Sequence, residues 1–498
     1  MKKSLNVFAK KFSDLISPAL LATILVAIIS GVLLFVPPIN GYADNGDFYR
    51  AMLSNGIYRL PSKHPWAIDY VITKFGIFQY FNEYGTIAFS SQSIFIRIAV
   101  MINKLFYSSK VFDIRFLGLL YYFLYLGSIY LLTKSVVYPY KKLRSYAVSL
   151  IIVLIFADSS FTLYFNSFFA EPVMYIFMIY AFASIMLLAK GCYKKNWPMM
   201  LLFFISTIII ITDKSQNAPL TLSFILISFG MMFLPHFNAR RFAVGVGMVV
   251  LIFTGVFTYV AINKEFNDVN QYKAFTHGVL METNDPSKNI AKLGIDEQFA
   301  LLREENYYPK TYTAVRATNK SVQKNLLAKN GIGWTVKYYA HNPKQAGALL
   351  DLATKDIMIT QVKAVGDFTR GSGHKPGEQV KYFTLYSDYM GSFFPGKFAF
   401  ICLLTVALIL TYGVAMYNDL KKKRPMGVMR FFLVLGLLTI ILFVPIISIV
   451  GDGDADLAKH LFIIPVCLNF IFILFISDIL HHRLWNTEAR EEFLDHAK

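Results

Sequence analysis

Ten stretches of the chain are apolar at or near membrane-crossing length: residues 16–36, about 112–137, 146–157, 169–188, 197–212, 219–234, 244–262, 395–417, 431–450 and 461–480. A helix rises about 1.5 Å per residue, so about 20 apolar residues cross the hydrocarbon core. The third and fifth runs are shorter than about 17 residues and read as tilted partners or broken helices. Two long polar stretches, residues 37–111 and about 263–394, interrupt the series. In the second of these, residues 342–358 have an amphipathic pattern with Pro343 at the start, which predicts a helix. Trp334, Tyr338 and Tyr339 suit an interfacial segment. The pattern predicts an all-α polytopic membrane protein of about ten transmembrane helices with a mostly helical extracytoplasmic loop domain. Its parts are a transmembrane module (1–262, with a first outer loop at 37–111), the loop domain (263–394) and a C-terminal transmembrane module (395–498).

The basic residues assign the sides. Lys2, Lys3, Lys10 and Lys11 precede the first run, and Lys141, Lys142 and Arg144 follow the second. Lys190, Lys194 and Lys195 follow the fourth run, Arg240 and Arg241 the sixth, Lys421 to Arg424 the eighth, and His481, His482 and Arg483 the tenth. With strict alternation all these clusters fall on one face, the cytoplasmic one, together with both termini. The first run is longer than the apolar part of a cleavable signal, and Val36-Pro-Pro-Ile-Asn40 is not a small-residue cleavage site.

Composition agrees: 55% hydrophobic, 16% aromatic and 16% charged residues, with a mean hydropathy of +0.48. Soluble domains are nearer a quarter charged. The net charge of +18 does not point to nucleic acid, because many of the basic residues sit in topology-setting clusters. Cys192, Cys402 and Cys467 lie in or beside apolar runs, without metal-ligand spacing, and read as fillers. There is no P-loop, Rossmann glycine pattern or His-Glu-x-x-His, and Gly371-Ser-Gly-His-Lys-Pro-Gly377 lacks the Lys-Ser/Thr ending of a phosphate loop.

The acids follow the opposite rule. Asp44, Asp47, Asp158, Glu171, Asp213, Asp452, Asp454 and Asp456 all fall at the outer ends of the runs. Carboxylates at a membrane boundary can activate a hydroxyl or bind a divalent metal. Asp44 also suits the N-cap of a helix starting at Asn45, with Asp47 in its first turn, and Asp158 reads as a solvated cap. Glu171 is the lone acid of an aromatic stretch, Tyr164-Phe-Asn-Ser-Phe-Phe-Ala-Glu-Pro172, and calls for a partner or a role. Asp213-Lys-Ser-Gln-Asn217 is dense in hydrogen-bonding groups, with Lys214 and Gln216 as ligand contacts or parts of a wet turn. Gly451-Asp-Gly-Asp-Ala-Asp456 has a calcium-loop composition without the remaining EF-hand ligands, and a solvated turn is the plain alternative. Lys459 and His460 after it are candidate phosphate contacts, and His374 is a secondary candidate in a glycine-rich strip.

An acidic motif after the first span, a second acid at a later outer helix end, many spans and an outer domain resemble the GT-C membrane glycosyltransferases. The blocks Asn40-Gly-Tyr-Ala-Asp-Asn-Gly-Asp-Phe-Tyr-Arg50, Tyr164 to Pro172, Gly278-Val-Leu-Met-Glu-Thr-Asn-Asp-Pro286 followed by Leu293-Gly-Ile295, and Gly451 to Phe462 resemble bacterial hexose transferases of cell-surface (S-layer type) glycan biosynthesis. The resemblance implies a polyprenyl-phosphate-linked sugar donor, a glycan acceptor and a multi-pass enzyme of the bacterial plasma membrane. Asp47 would be the first-loop acid, Asp44 its helper and Glu171 the second acid, with Lys214, Lys459 and His460 receiving the leaving phosphate. The Asp-Glu pair common in the first loop of that superfamily is absent, so the assignment between Asp44 and Asp47 stays open. Some members use a divalent cation such as Mg or Mn and others do not. The rival readings are a flippase for lipid-linked sugars, which would place its polar groups near the midplane, and a lipid-linked glycan ligase, for which Arg370 and His374 are the support.

Overall fold

The computed structural model describes residues 16–62, 69–80, 89–139, 142–234, 238–309 and 315–487. Lys2, Lys3, Lys10, Lys11 and Lys141 lie outside them. All ten apolar runs fold as helices: α1 (Pro18–Phe35), α4 (Arg115–Val137), α5 (Leu143–Phe156), α6 (Glu171–Ala189), α7 (Trp197–Asp213), α8 (Leu220–Gly230), α9 (Asn238–Val260), α14 (Phe398–Lys421), α15 (Pro425–Asp452) and α16 (Ile463–Leu480). By length and composition, seven can cross a membrane, and α5 with the segment Ser159–Phe165, bent by 51°, makes an eighth. Two runs expected to cross, α7 and Leu220–Phe233, are shorter apolar helices. The most buried helix is α6, which packs against α4, α7 and α15, whereas α9 and α14 turn most of their apolar side chains outward.

The polar stretches supply α2 (Phe48–Ser54), α3 (Gln92–Phe106), α10 (Lys264–Ala274), α11 (Ile332–His341), α12 (Pro343–Asp356) and α13 (Leu385–Phe393). Helix α12 begins with its proline, as the pattern predicts. Tyr338 and Tyr339 are buried, with Trp334 stacked on Tyr338 at 5.5 Å. They build the core of the outer domain rather than an interfacial belt, because the Tyr338 hydroxyl finds Val279 O and Gln345 inside it.

Two small sheets were not legible in the sequence. Strand β1 (Asn40–Tyr42) pairs antiparallel with β5 (Val365–Phe368), and β2 (Ile57–Tyr58), β3 (Lys74–Ile77) and β4 (Val111–Asp113) form a second sheet in that order. The first sheet ties the foot of α1 to the outer domain. Asn166 locks the junction, its amide donating to Leu34 O and Asn40 O. On the cytoplasmic side assigned by charge, Arg430 and Asp478 form a fully buried ion pair at 2.6 Å that joins α15 to α16.

Asp367 of β5 stands opposite Gly41, fully buried, with neither carboxyl oxygen partnered among the described residues. Burial, then the nearby Asp69 carboxylate, push it up to about 7 from 3.8, against Lys363. The folded state therefore holds a proton that the unfolded chain releases. The stability this gives is fully present below about 3.8 and is lost as pH rises to about 7. Asp367→Asn should match the wild type near pH 4. By pH 8 it should be the more stable by about 2–4 kcal/mol, at 1.36 kcal/mol per pKa unit. Thermal unfolding across that range checks it, and a gap independent of pH contradicts it.

Candidate functional site at the outer helix ends

Three blocks of the sequence that lie far apart meet at the outer ends of the helices. Tyr42 stacks on Phe169 at 4.0 Å, and Phe48 packs edge-on against Phe168 and Phe169. The Lys459 ammonium lies over the Phe169 ring, 4.6 Å from its centroid. Aromatic faces attract a cation and fix its direction. The first-loop motif, the Tyr164–Pro172 block and the Gly451–His460 turn thus share one aromatic floor.

Above that floor lies an open pocket of about 280 Å³. Asp47, Glu171, Asp213, Lys214, Gln216, Asp452, Asp456, Lys459 and His460, all singled out from the sequence, line it. Asp44, Asp454 and His374 do not. The pocket also takes Arg50 from α2 and Phe266, Asn270 and Lys273 from α10. Arg50 was visible within the motif; Lys273 carried no signal, being one lysine on a polar helix.

Asp47 occupies the N-cap position of α2 without capping it by its side chain. Its carboxylate is instead 3.5 Å from both the Arg50 guanidinium and the Lys459 ammonium, and over a third exposed. Asp44 does not cap a helix at Asn45, because α2 starts at Phe48. It is buried, accepts Gly46 N–H at 2.9 Å and pairs with Arg59 at 2.6 Å. Burial pushes its carboxyl up, against the Gly46 N–H and Arg59. Asp158 does cap, accepting from Ser160 N, but it is buried rather than solvated and also accepts from Ser387 N.

Glu171 opens α6 fully buried, and one oxygen takes the Lys214 ammonium at 2.7 Å. The lone acid of the aromatic stretch has the partner its setting requires, and Lys214 is engaged by it. Asp213 is buried beside them, with no partner for either oxygen among the described residues. Asp452 accepts from Gln216 (2.8 Å), meets His460 Nδ1 (3.1 Å) and, in the amide orientation that satisfies both its ends, is bonded by Asn270 (3.1 Å). Burial, then Lys214, push His460 down to about 3, so it serves as a neutral hydrogen-bonding ring, not a cation. Asp456 pairs with Lys273 at 3.3 Å. Burial pushes its carboxyl up, but Lys459 and Lys273 outweigh that and hold it below the usual carboxylate range.

Asp454 turns away to His277 Nδ1 (3.1 Å), and its N–H donates to His277 O (2.8 Å). His374 lies with Phe368 and Glu378, outside the pocket. Gly453 makes the turn possible. Its φ of +66° is left-handed, and a Cβ there would stand 2.3 Å from His277 O. Gly453→Ala should cost about 2–4 kcal/mol from strain plus overlap. It should also weaken ligand binding, because the turn carries Asp452 and Asp456; thermal unfolding and ligand titration measure the two effects.

Among the described residues, no three acid, imidazole or thiol groups converge to hold a metal ion. Asp47, Glu171 and Asp456 already have lysine or arginine partners.

The chain matches the YfdI N-terminal transmembrane domain over residues 2–495. It belongs to that family. The YfdI-family domain is thus a multi-pass membrane protein, and the match spans the outer domain as well as the apolar helices. No curated protein matches the chain. Among solved structures, the apo-form oligosaccharyltransferase of Archaeoglobus fulgidus is similar over 96% of this chain and 54% of its own, at 12% identity and a TM-score of 0.36. The YfdI-family chain spans about half the length of that protein.

Proposed function

We propose that the protein is a GT-C-type glycosyltransferase of the bacterial plasma membrane, moving a hexose from a polyprenyl-phosphate donor to a surface glycan or its lipid-linked precursor on the outer face. The observation that carries this reading is the pocket itself. It joins a half-exposed carboxylate, Asp47, to four cations, Arg50, Lys214, Lys273 and Lys459, at the rim of apolar helices. A hydroxyl acceptor needs a base, and a leaving phosphate needs positive charge.

In this reading the acceptor hydroxyl gives its proton to Asp47 as its oxygen bonds to the anomeric carbon. The bond from that carbon to the phosphate oxygen breaks, and the electron pair leaves with the phosphate. Lys459 and Lys273 receive the phosphate charge, and Arg50 and Lys459, each 3.5 Å from the Asp47 carboxylate, hold it in place. The neutral His460 ring, oriented by Asp452 and Gln216, adds a hydrogen bond. Lys214, paired with Glu171 at 2.7 Å, adds its charge at the same pocket wall.

The test is reconstitution in vesicles with a polyprenyl-phosphate hexose and a glycan acceptor, alongside Asp47→Asn. Donor consumption with sugar on the acceptor supports the proposal. Donor crossing the bilayer unconsumed would establish the flippase reading instead.

A further inference from the structure

Helix α3 belongs to none of the apolar runs, yet two of its faces avoid water. Gln92, Phe95, Ile96, Ala99, Val100 and Asn103 are buried. Phe95 packs against Tyr121 of α4 and Phe177 of α6. Asn103 ties the far end down, its amide donating to Ser108 O and Val111 O while its Oδ1 accepts from Asp113 N. On the side away from the protein, Ile94, Ile98, Met101 and Leu105 form a strip exposed by 39–77%, and Phe106 follows at 79%. Their spacing of four, three and four residues puts them on one line of the helix. Arg97 and Lys104, one turn before Met101 and one turn after, run along a single edge of that strip. A helix facing bulk water would carry polar residues there.

The strip continues a surface that already faces lipid. At the start of α3, Ser91 N–H donates to Thr212 O (3.0 Å) and the Ser91 hydroxyl to Ile209 O (2.8 Å), fixing the helix to the outer end of α7. Just before it, Phe89 packs edge-on against Phe257 of α9 at 5.0 Å. Phe257 stands among Phe253, Val256 and Val260, which are exposed on the membrane-crossing face of α9. The apolar strip of α3 therefore begins where the lipid-facing surface of α9 ends.

We infer that α3 lies in the plane of the outer leaflet. Ile94, Ile98, Met101 and Leu105 sit among the acyl chains, and Arg97 and Lys104 sit at the lipid phosphates. This arrangement of apolar strip and basic edge is that of an interfacial helix. It has a structural consequence, because Ser90, Gln92 and Ser93 at the start of the same segment line the pocket. The leaflet thereby sets the depth of the pocket at headgroup level. The inference rests on the helix and its neighbours and stands whatever reaction the pocket performs.

Spin labels read this directly in the 498-residue chain in nanodiscs of phosphatidylethanolamine and phosphatidylglycerol. Cys192→Ala and Cys402→Ala clear the background, since Cys467 is buried. Single labels go at Ile98→Cys, Met101→Cys and Lys104→Cys. Leu301→Cys on the outer domain is the aqueous reference and Leu403→Cys on α14 the lipid reference. Labels at 98 and 101 should collide with oxygen and be shielded from a water-soluble nickel chelate, at a depth of about 5–10 Å below the phosphates. The label at 104 should read shallower. Chelate access at 98 and 101 equal to that at 301 overturns the inference. So does shielding from both reagents with spin–spin broadening, which means a second copy covers the strip.

Discussion

Lys214→Met should lower stability by about 3–5 kcal/mol and abolish transfer, although Lys214 is itself partly exposed. Glu171 is fully buried, and one of its oxygens has no partner among the described residues. Its charge in the folded state is therefore held by a single ammonium, and removing one member of a buried pair leaves the other uncompensated in low dielectric. Asp213 is buried on the same side of the pocket, with no side-chain partner among the described residues. The double variant Glu171→Gln/Lys214→Met should recover most of the lost stability, since the uncompensated Glu171 charge is gone. It should not recover activity, if the pair orients the pocket. Thermal unfolding in detergent, run beside the transfer assay, separates the two effects. A Lys214→Met protein as stable as the wild type would show that Glu171 is not held by this pair.

Asp47→Asn should behave in the opposite way, with little change in stability and a kcat lower by about 10²–10⁴, the usual contribution of a positioned general base. Its two ion pairs are long, at 3.5 Å, and its side chain is over a third exposed, so each is worth at most about 1 kcal/mol. Asp44→Ala gives the contrast. It removes the buried carboxylate that pairs with Arg59 and accepts the Gly46 N–H, and should lose about 1–3 kcal/mol of stability while keeping its rate per folded molecule. Measuring kcat and melting temperature on both variants separates the catalyst from its support. Equal rate losses in the two would remove the distinction.

Much of this was legible in the sequence because membrane helices and ionisable residues write strong signals. Ten apolar runs gave ten helices, and the lone acid in an aromatic stretch, Glu171, had its cation. Lys459 and His460 were recognisable by their place after an acidic turn. What remained hidden depended on short or long-range structure. Strands of two to four residues, such as β1 and β5, have too little periodicity to show. The side to which a turn faces is invisible as well: Asp452 and Asp456 enter the pocket, while Asp454 between them leaves it for His277. Helix α3 gives no clear apolar run because its apolar residues are divided between two faces, one for the protein and one beyond it. Lys273 reaches the site only through the packing of the outer domain on α15.

The β1–β5 ladder also has a consequence in time. Asn40 leaves the ribosome more than three hundred residues before its partner Phe368, and Lys459 follows later still. Asp47 follows β1 closely in the chain, so the loop that carries it stays unanchored while α1 and the helices after it are made. Strand β5 must fold back onto β1 before the loop is held. The α15–α16 hairpin must then dock before Asp47 has the Lys459 cation beside it.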